Sequence, residues 1–182
     1  MPKIDAPEKL FFSLLGKELT DDELCDIFPV AKAELDGHDR EHGVIKIELN
    51  DTNRPDLWSP AGVARALKTY STGEIPYYDF FSTKDEEKPS DGRMIIDDES
   101  AKGIRDFSIG FGCRGVTVDD DLLTNLIQSQ EKLCFNFGRK RKTIAMGIYR
   151  SELINYPVHY AAVDPDKTKF VPLGMTEELS LR

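Results

Sequence analysis

His38 and His42 lie four residues apart, a spacing that lets two imidazoles on one helix face share a zinc ion. The stretch reads His-Asp-Arg-Glu-His rather than H-E-x-x-H, and Gly37 and Gly43 bracket it. Five residues between two glycines are too few for that helix, so a solvated turn is the better reading. Asp119, Asp120 and Asp121 could hold a cation, but they open a helical pattern, where carboxylates complement the positive dipole end. Residues 108–115, "SIGFGCRG", place Gly110, Gly112 and Gly115 at G-x-G-x-x-G spacing, but inside an alternating strand pattern rather than at a strand-to-helix turn, and no G-x-x-x-x-G-K-[ST] occurs in the sequence. Neither phosphate cradle is indicated. His159 stands beside Tyr160 without the Ser and Asp of a nucleophilic set and reads as a packed or surface histidine. No catalytic residue and no metal ligand is assigned.

Two polar constellations remain. Arg139, Lys140, Arg141 and Lys142 are the one concentrated basic run in an acidic chain. They could meet a phosphate backbone, or they could complement the negative end of the preceding helix. The second is "NDTNRPD", residues 50–56, between an apolar run and a helix start. Asn50, Asp51, Thr52, Asn53 and Asp56 can each cap a backbone amide, and Pro55 forces Arg54 toward extended geometry. A rigid structural corner is expected, with Arg54 ion-paired to a nearby acid. The sharper alternative sets Asn53, Arg54 and Asp56 against another subunit or RNA.

The elements that must position these groups follow from pattern. The chain has 182 residues and is 40% hydrophobic, enough for a core in one large domain or two small ones. A net charge of −9 excludes a general affinity for nucleic acid, so any such contact must be local. Cys25, Cys113 and Cys134 lack CxxC spacing and read as reduced core thiols of a cytoplasmic protein. No signal peptide opens the sequence, and no apolar run reaches the ~18 residues of a membrane span.

Asp5 is expected to cap a helix carrying Leu10, Phe11, Leu14 and Leu15, closed by Gly16. Thr20 and Glu23 form a capping box for a second helix with Leu24, Ile27 and Phe28 on its buried face. The acidic exposed face of this pair disfavours a DNA-binding helix-turn-helix. Residues 30–49 read as a hairpin around the histidine turn. Ser59 and Pro60 open a helix with Val63, Ala64 and Leu67 inward, Trp58 acting as a staple. Residues 82–92, "STKDEEKPSDG", read as a boundary. Beyond it, "RMIID", the alternating Phe107, Ile109, Phe111 and Cys113, "TIAMGIY" and "VHYAAVD" read as strands, and "DESAKGI" as a helical turn. A helix capped by Thr117 or Asp119 should bury Leu122, Leu123, Leu126, Ile127, Leu133, Cys134 and Phe137, with Gly138 at C′. "PLGMTEELSLR" reads as a helix start.

The stretches "IELNDTNRPDLWSPAGVARAL", "LIQSQEKLCFNFGRKRKTIAMGIY" and "AVDPDKTKFVPLGMTEE", in that order, resemble the β subunit of phenylalanyl-tRNA synthetase, archaeal and eukaryotic type. The resemblance runs from "FFSLLGKELTDDEL" to the last residues. It implies an α2β2 ligase that joins phenylalanine to its tRNA with ATP and magnesium, the synthetic site lying in the α subunit. It implies a β subunit with tRNA contacts, subunit contacts and an editing domain. The editing-pocket residues of the family lie mostly past Arg182. Where relatives often read Gly-Ile-His-Asp, this chain has Gly147-Ile148-Tyr149-Arg150.

The resulting expectation is an α+β chain: a small helix-pair and hairpin domain over residues 1–88, then the opening part of a mixed α/β editing-type domain over 89–182. Its role would be scaffold plus RNA and subunit contact, with the α subunit and tRNA as partners and no membrane or DNA partner. No cofactor is expected in this stretch; ATP and magnesium belong to the whole enzyme. The alternative is a free-standing tRNA-binding or trans-editing module of the same ancestry. Uncovered strand edges and an apolar helix face should make the isolated chain marginal or self-associating.

Overall fold

The computed structural model describes residues 3–50, 53–78 and 93–182. The fold is α+β, and the described residues form a three-stranded sheet, two two-stranded sheets and four α-helices. Its chain forms two compact units, one from the described residues of 3–78 with Val116–Ile148, the other from those of 93–115 with Tyr149–Arg182. The expected boundary at residue 88 lies outside the described residues, as does all of "STKDEEKPSDG".

In the first unit, strand β1 (Lys3–Pro7) is followed directly by helix α1 (Glu8–Leu15). Asp5, expected as a helix cap, lies inside β1 opposite Lys46. Ile4 and Ala6 alternate inward and are buried, a period of two that outweighs the helical signal of Pro7 and Glu8. Gly16 closes α1 at φ 87°, its N–H donating to Phe12 O at 2.8 Å, the left-handed end that favours glycine. The buried face is Phe11, Phe12 and Leu15, and Leu14 is exposed.

Helix α2 (Asp21–Ile27) starts on the expected capping box: Thr20 Oγ1 accepts from Glu23 N–H at 3.3 Å, and Glu23 Oε2 accepts from Thr20 N–H at 2.7 Å. Strands β2 (Ala33–Asp39) and β3 (Val44–Leu49) form the expected hairpin. The sheet order is β1-β3-β2, all antiparallel, so β3 is central. Helix α3 (Pro60–Thr72) packs on α1. Ile4, Ile45, Ile47 and Leu49 of the sheet meet Phe11, Leu24, Phe28, Val63 and Leu67 in one core. Phe11 and Phe28 meet edge to face at 6.1 Å, a geometry that aligns ring edge with ring face.

The last helix of this unit, α4 (Asp120–Lys132), is capped by Asp119, whose carboxylate accepts from Leu122 N–H at 2.8 Å. Gln128 pairs with the free edge of β1: its amide nitrogen donates to Asp5 O at 3.1 Å and its oxygen accepts from Asp5 N–H at 3.3 Å. That imitates one rung of a sheet ladder and covers part of an open edge. The expected apolar stripe is only partly buried. Leu122 and Leu126 are half-buried, Leu123 and Ile127 are exposed, and the buried residue of the helix is Asn125.

In the second unit, β4 (Ile95–Asp97) runs parallel to β5 (Val158–Tyr160), and β6 (Lys169–Phe170) pairs antiparallel with β7 (Leu179–Ser180). A 3-10 turn at Glu99–Ala101 stands where a helical turn was expected. Three expectations fail. Residues 107–113 form no strand: Phe107, Ile109 and Phe111 are about nine-tenths exposed, at 85%, 92% and 89%. Alternation alone makes no strand without a ladder partner, and Gly110 and Gly112 add backbone entropy to the cost. "TIAMGIY" is likewise not a strand; its Met146 N–H donates to Cys134 Sγ at 3.2 Å. Residues 172–182 contain no helix. Pro172 and Gly174 make a tight turn there, closed from Met175 N–H to Pro172 O at 3.0 Å. All three cysteines are free, but only Cys134 is buried; Cys25 and Cys113 are exposed, which corrects the reading of three core thiols.

Candidate functional site

The basic run owes its shape to the way α4 ends. A single π-turn, Leu133–Phe137, follows the helix, widening the last turn so that five carbonyls need partners. Gly138 N–H donates to Leu133 O at 2.7 Å, Arg141 N–H to Cys134 O at 2.8 Å, Lys140 N–H to Phe135 O at 2.9 Å and Arg139 N–H to Asn136 O at 3.3 Å. Thr143 Oγ1 reaches Phe137 O at 3.4 Å, and Thr143 N–H donates to Gly138 O at 3.0 Å.

The geometry that achieves this is costly. Arg139, Lys140 and Arg141 have φ of 50°, 58° and 67°, three consecutive side-chain-bearing residues in the left-handed region. Each such residue costs about 1 kcal/mol, because its Cβ crowds the following carbonyl. Gly138, expected as the left-handed C′ residue, instead has φ −74°. Its missing side chain serves close approach: a Cβ there would lie 2.5 Å from both Cys134 O and Ile144 O. Gly138 is buried, while Arg139, Lys140, Arg141 and Lys142 are all exposed.

In the corner after β3, Arg54 and Asp56 make a two-pronged pair, Nε to Oδ1 at 2.9 Å and Nη2 to Oδ2 at 2.7 Å. This is the expected ion pair, its partner two residues along the chain. The Arg54 guanidinium holds the Asp56 carboxyl below its ordinary range, since hydrogen bonds to the charged form favour it. A 3-10 turn at Pro55–Leu57 follows. Ser59 caps α3 by accepting from Gly62 N–H at 3.1 Å. Gly62 sits so close to the turn that a Cβ would fall 1.9 Å from Asp56 O. Asn50 uses its side chain differently from the capping role expected: Nδ2 donates to Glu34 Oε1 at 2.6 Å, while its backbone N–H reaches Lys32 O at 2.9 Å. Asp51 and Thr52 lie outside the described residues; Asn53 is exposed. Trp58 is buried, as a staple requires, and its indole N–H has no hydrogen-bond partner among the described residues.

One constellation escaped the sequence reading. His38, assigned to a solvated turn, lies within β2 with its side chain 3% exposed. Its Nδ1 is 2.7 Å from Asp21 Oδ1 and its Nε2 is 3.3 Å from Glu8 Oε1; Arg40 also reaches Asp21, at 2.9 Å. The His38 imidazole and Arg40 together hold Asp21 below the ordinary carboxylate range. Period-two alternation through Leu35 and Gly37 would set His38 on the opposite face; a bulge at Leu35/Gly37 shifts the register, and no local signal marks it. His42, its supposed co-ligand, is exposed and pairs with Asp39. Among the described residues no group of three or more His, Cys, Asp or Glu side chains could hold a metal ion, and no helix is long and apolar enough to cross a membrane.

Comparison with known proteins adds the following. No protein-family model matches the chain. Over 181 residues it is 50% identical to the "Phenylalanine--tRNA ligase beta subunit" of Borreliella burgdorferi (strain ZS7), covering 100% of this chain and 32% of that protein. It is 47% identical over 182 residues to the protein of the same name from Borrelia duttonii (strain Ly), again covering 100% and 32%. Among solved structures it superimposes with a TM-score of 0.80, at 36% identity, on an N-terminal fragment of the phenylalanyl-tRNA synthetase β subunit from Pyrococcus horikoshii, covering 99% of this chain and 50% of that one. The chain thus spans about a third of the length of the curated relatives it matches.

Proposed function

We propose, from the premise that this chain matches the amino-terminal region of phenylalanyl-tRNA synthetase β subunits along its whole length, that it serves as the scaffolding part of such a subunit. In this reading the complete enzyme is an α2β2 assembly of the cytoplasm that joins phenylalanine to its tRNA, and the α subunit makes the bond. Residues 1–88 are read as the N-terminal domain and 89–182 as the start of the editing-type domain, with residues 116–148 of the latter folded into the same compact unit as the former. The observation that carries the reading is the end-to-end match, which leaves no stretch of the chain outside the likeness.

ATP and magnesium would serve the synthetic reaction. The described donor set does not fit them: no group of three or more His, Cys, Asp or Glu side chains gathers around one point, and Asp119, Asp56 and Asp21 are engaged in a cap and in ion pairs. No catalytic step is therefore routed through these residues. Their work is to hold surfaces. The basic run 139–142 is the surface for RNA, because cations on an acidic body focus phosphate binding locally. The corner of Asn53, Arg54 and Asp56 is a stiff joint on the first unit available to a neighbouring subunit.

The test is co-expression of the full-length gene product with the phenylalanyl-tRNA synthetase α subunit. A stable complex that charges tRNA with phenylalanine is expected, with neither polypeptide active alone. A gene product that leaves the α subunit unbound, or that alone forms phenylalanyl-tRNA, would overturn the reading.

A further inference from the structure

We propose that residues 139–141 form a preorganised cationic turn, a left-handed backbone that fixes Arg139, Lys140 and Arg141 in place for a phosphate-rich RNA surface before the RNA arrives. The inference rests on the reading that the basic run meets RNA, and deepens it.

Three observations combine. The first is chemical: four consecutive cations stand exposed on a chain of net charge −9. A flexible basic segment would extend under its own repulsion, yet here the cations are wound into one turn. The second is conformational. Three of them occupy the left-handed region, which Asn or Gly would accept more readily than Arg or Lys. A helix end needing only closure, or only positive charge near its carbonyls, has no use for this combination. Observed strain of this kind points to a function carried by the side chains. The third is the accounting of backbone groups. The N–H groups of Arg139, Lys140 and Arg141 are all donated to carbonyls of the preceding π-turn. They form no anion-binding nest of free amides, and the side chains of Arg139 and Lys140 are the groups that would meet a ligand.

Locking removes much of the ordering cost that a flexible basic loop incurs on binding. Arginine adds a planar fork that can grip a phosphate with two hydrogen bonds. RNA fits better than an acidic protein surface, because closely spaced cations match a backbone that repeats its anions in a regular row.

The full chain is titrated with a fluorescent phenylalanine-tRNA transcript at several salt concentrations. R139E with K140E should weaken binding at least about tenfold and flatten the salt dependence by between one and two units of slope. G138A keeps every cation but drives a Cβ into Cys134 O and Ile144 O; affinity should fall at least about fivefold with the far-UV spectrum preserved. The pair R139N with K140N should melt at a higher temperature than R139Q with K140Q, which has the same charge but a weaker left-handed preference. Unchanged tRNA affinity after charge reversal overturns the RNA reading and this proposal with it. Loss of affinity on charge reversal with parental affinity in a folded G138A overturns preorganisation alone. So does an Asn pair melting no higher than the Gln pair, and that comparison decides the matter if G138A does not fold.

Discussion

Single residues carry more of this architecture than composition suggests. Gly62 is the clearest case, since its Cα–H faces Asp56 O at a distance that no Cβ could share. Gly62→Ala should destabilise the first unit by about 3 kcal/mol, the upper range for an overpacked site, read as a drop in the urea midpoint at unchanged m-value. An unchanged midpoint would show that the 3-10 turn at Pro55–Leu57 yields easily. Asp21 sets an acid-side dependence. Its carboxyl lies below the ordinary range chiefly through the hydrogen bond with His38, then through Arg40. The folded state therefore binds its proton later than the unfolded chain as pH falls. The resulting stability is complete above the unfolded value, about 3.9, and is lost as pH drops through that value and the lower folded one. His38→Gln removes the main cause, so its melting temperature should fall less steeply between pH 5 and 2 than the parent's. Parallel pH curves would contradict the assignment.

At the scale of elements, legibility followed range. The Thr20/Glu23 capping box, the Ser59-Pro60 helix start and the 33–49 hairpin were readable because each is decided within a few residues. Strand β1 was misread as a helix approach because its partner β3 lies some forty residues away and only pairing reveals it. The alternation of residues 107–113 misled for the opposite reason: the local pattern is present and the ladder is not. Within the candidate site, the charge of residues 139–142 was visible in the sequence, but their left-handed backbone was not, since Arg and Lys carry no preference for it. His38 was misplaced because a bulge shifts register by one residue and turns a presumed outward side chain inward. Helix α4 offers an element-level test. Gln128→Ala deletes both hydrogen bonds to Asp5. It should cost about 1 kcal/mol and speed hydrogen exchange of the Asp5 amide, while amides in β3 keep their protection. An unaffected Asp5 amide would mean that the helix is held on the sheet by other contacts.

For the whole molecule, the two units differ in what they bury. The first has a contiguous core of sheet, α1 and α3 side chains. Among the described residues of the second, Ala101 alone is buried. Hydrophobic burial at about 25 cal/mol per Å² is the main favourable term in folding. In native-state hydrogen exchange, β1, β2 and β3 should accordingly share protection close to the global unfolding free energy, with β4 and β5 opening far sooner. Equal protection in both units would require the second to be held by a partner or by its own association. Phe107, Ile109, Phe111 and Leu173 are exposed, and if they drive self-association it should appear as concentration-dependent sedimentation, with a concentration-independent monomer contradicting it.

The clasp of Gln128 on Asp5 also has a history in time. Asp5 leaves the ribosome 123 residues before its partner, so at about 5–20 residues per second the first strand waits roughly 6–25 seconds with its outer rim bare. During synthesis that rim is a docking edge for any neighbouring nascent chain, and crowded polysomes are where mispairing of this protein would begin.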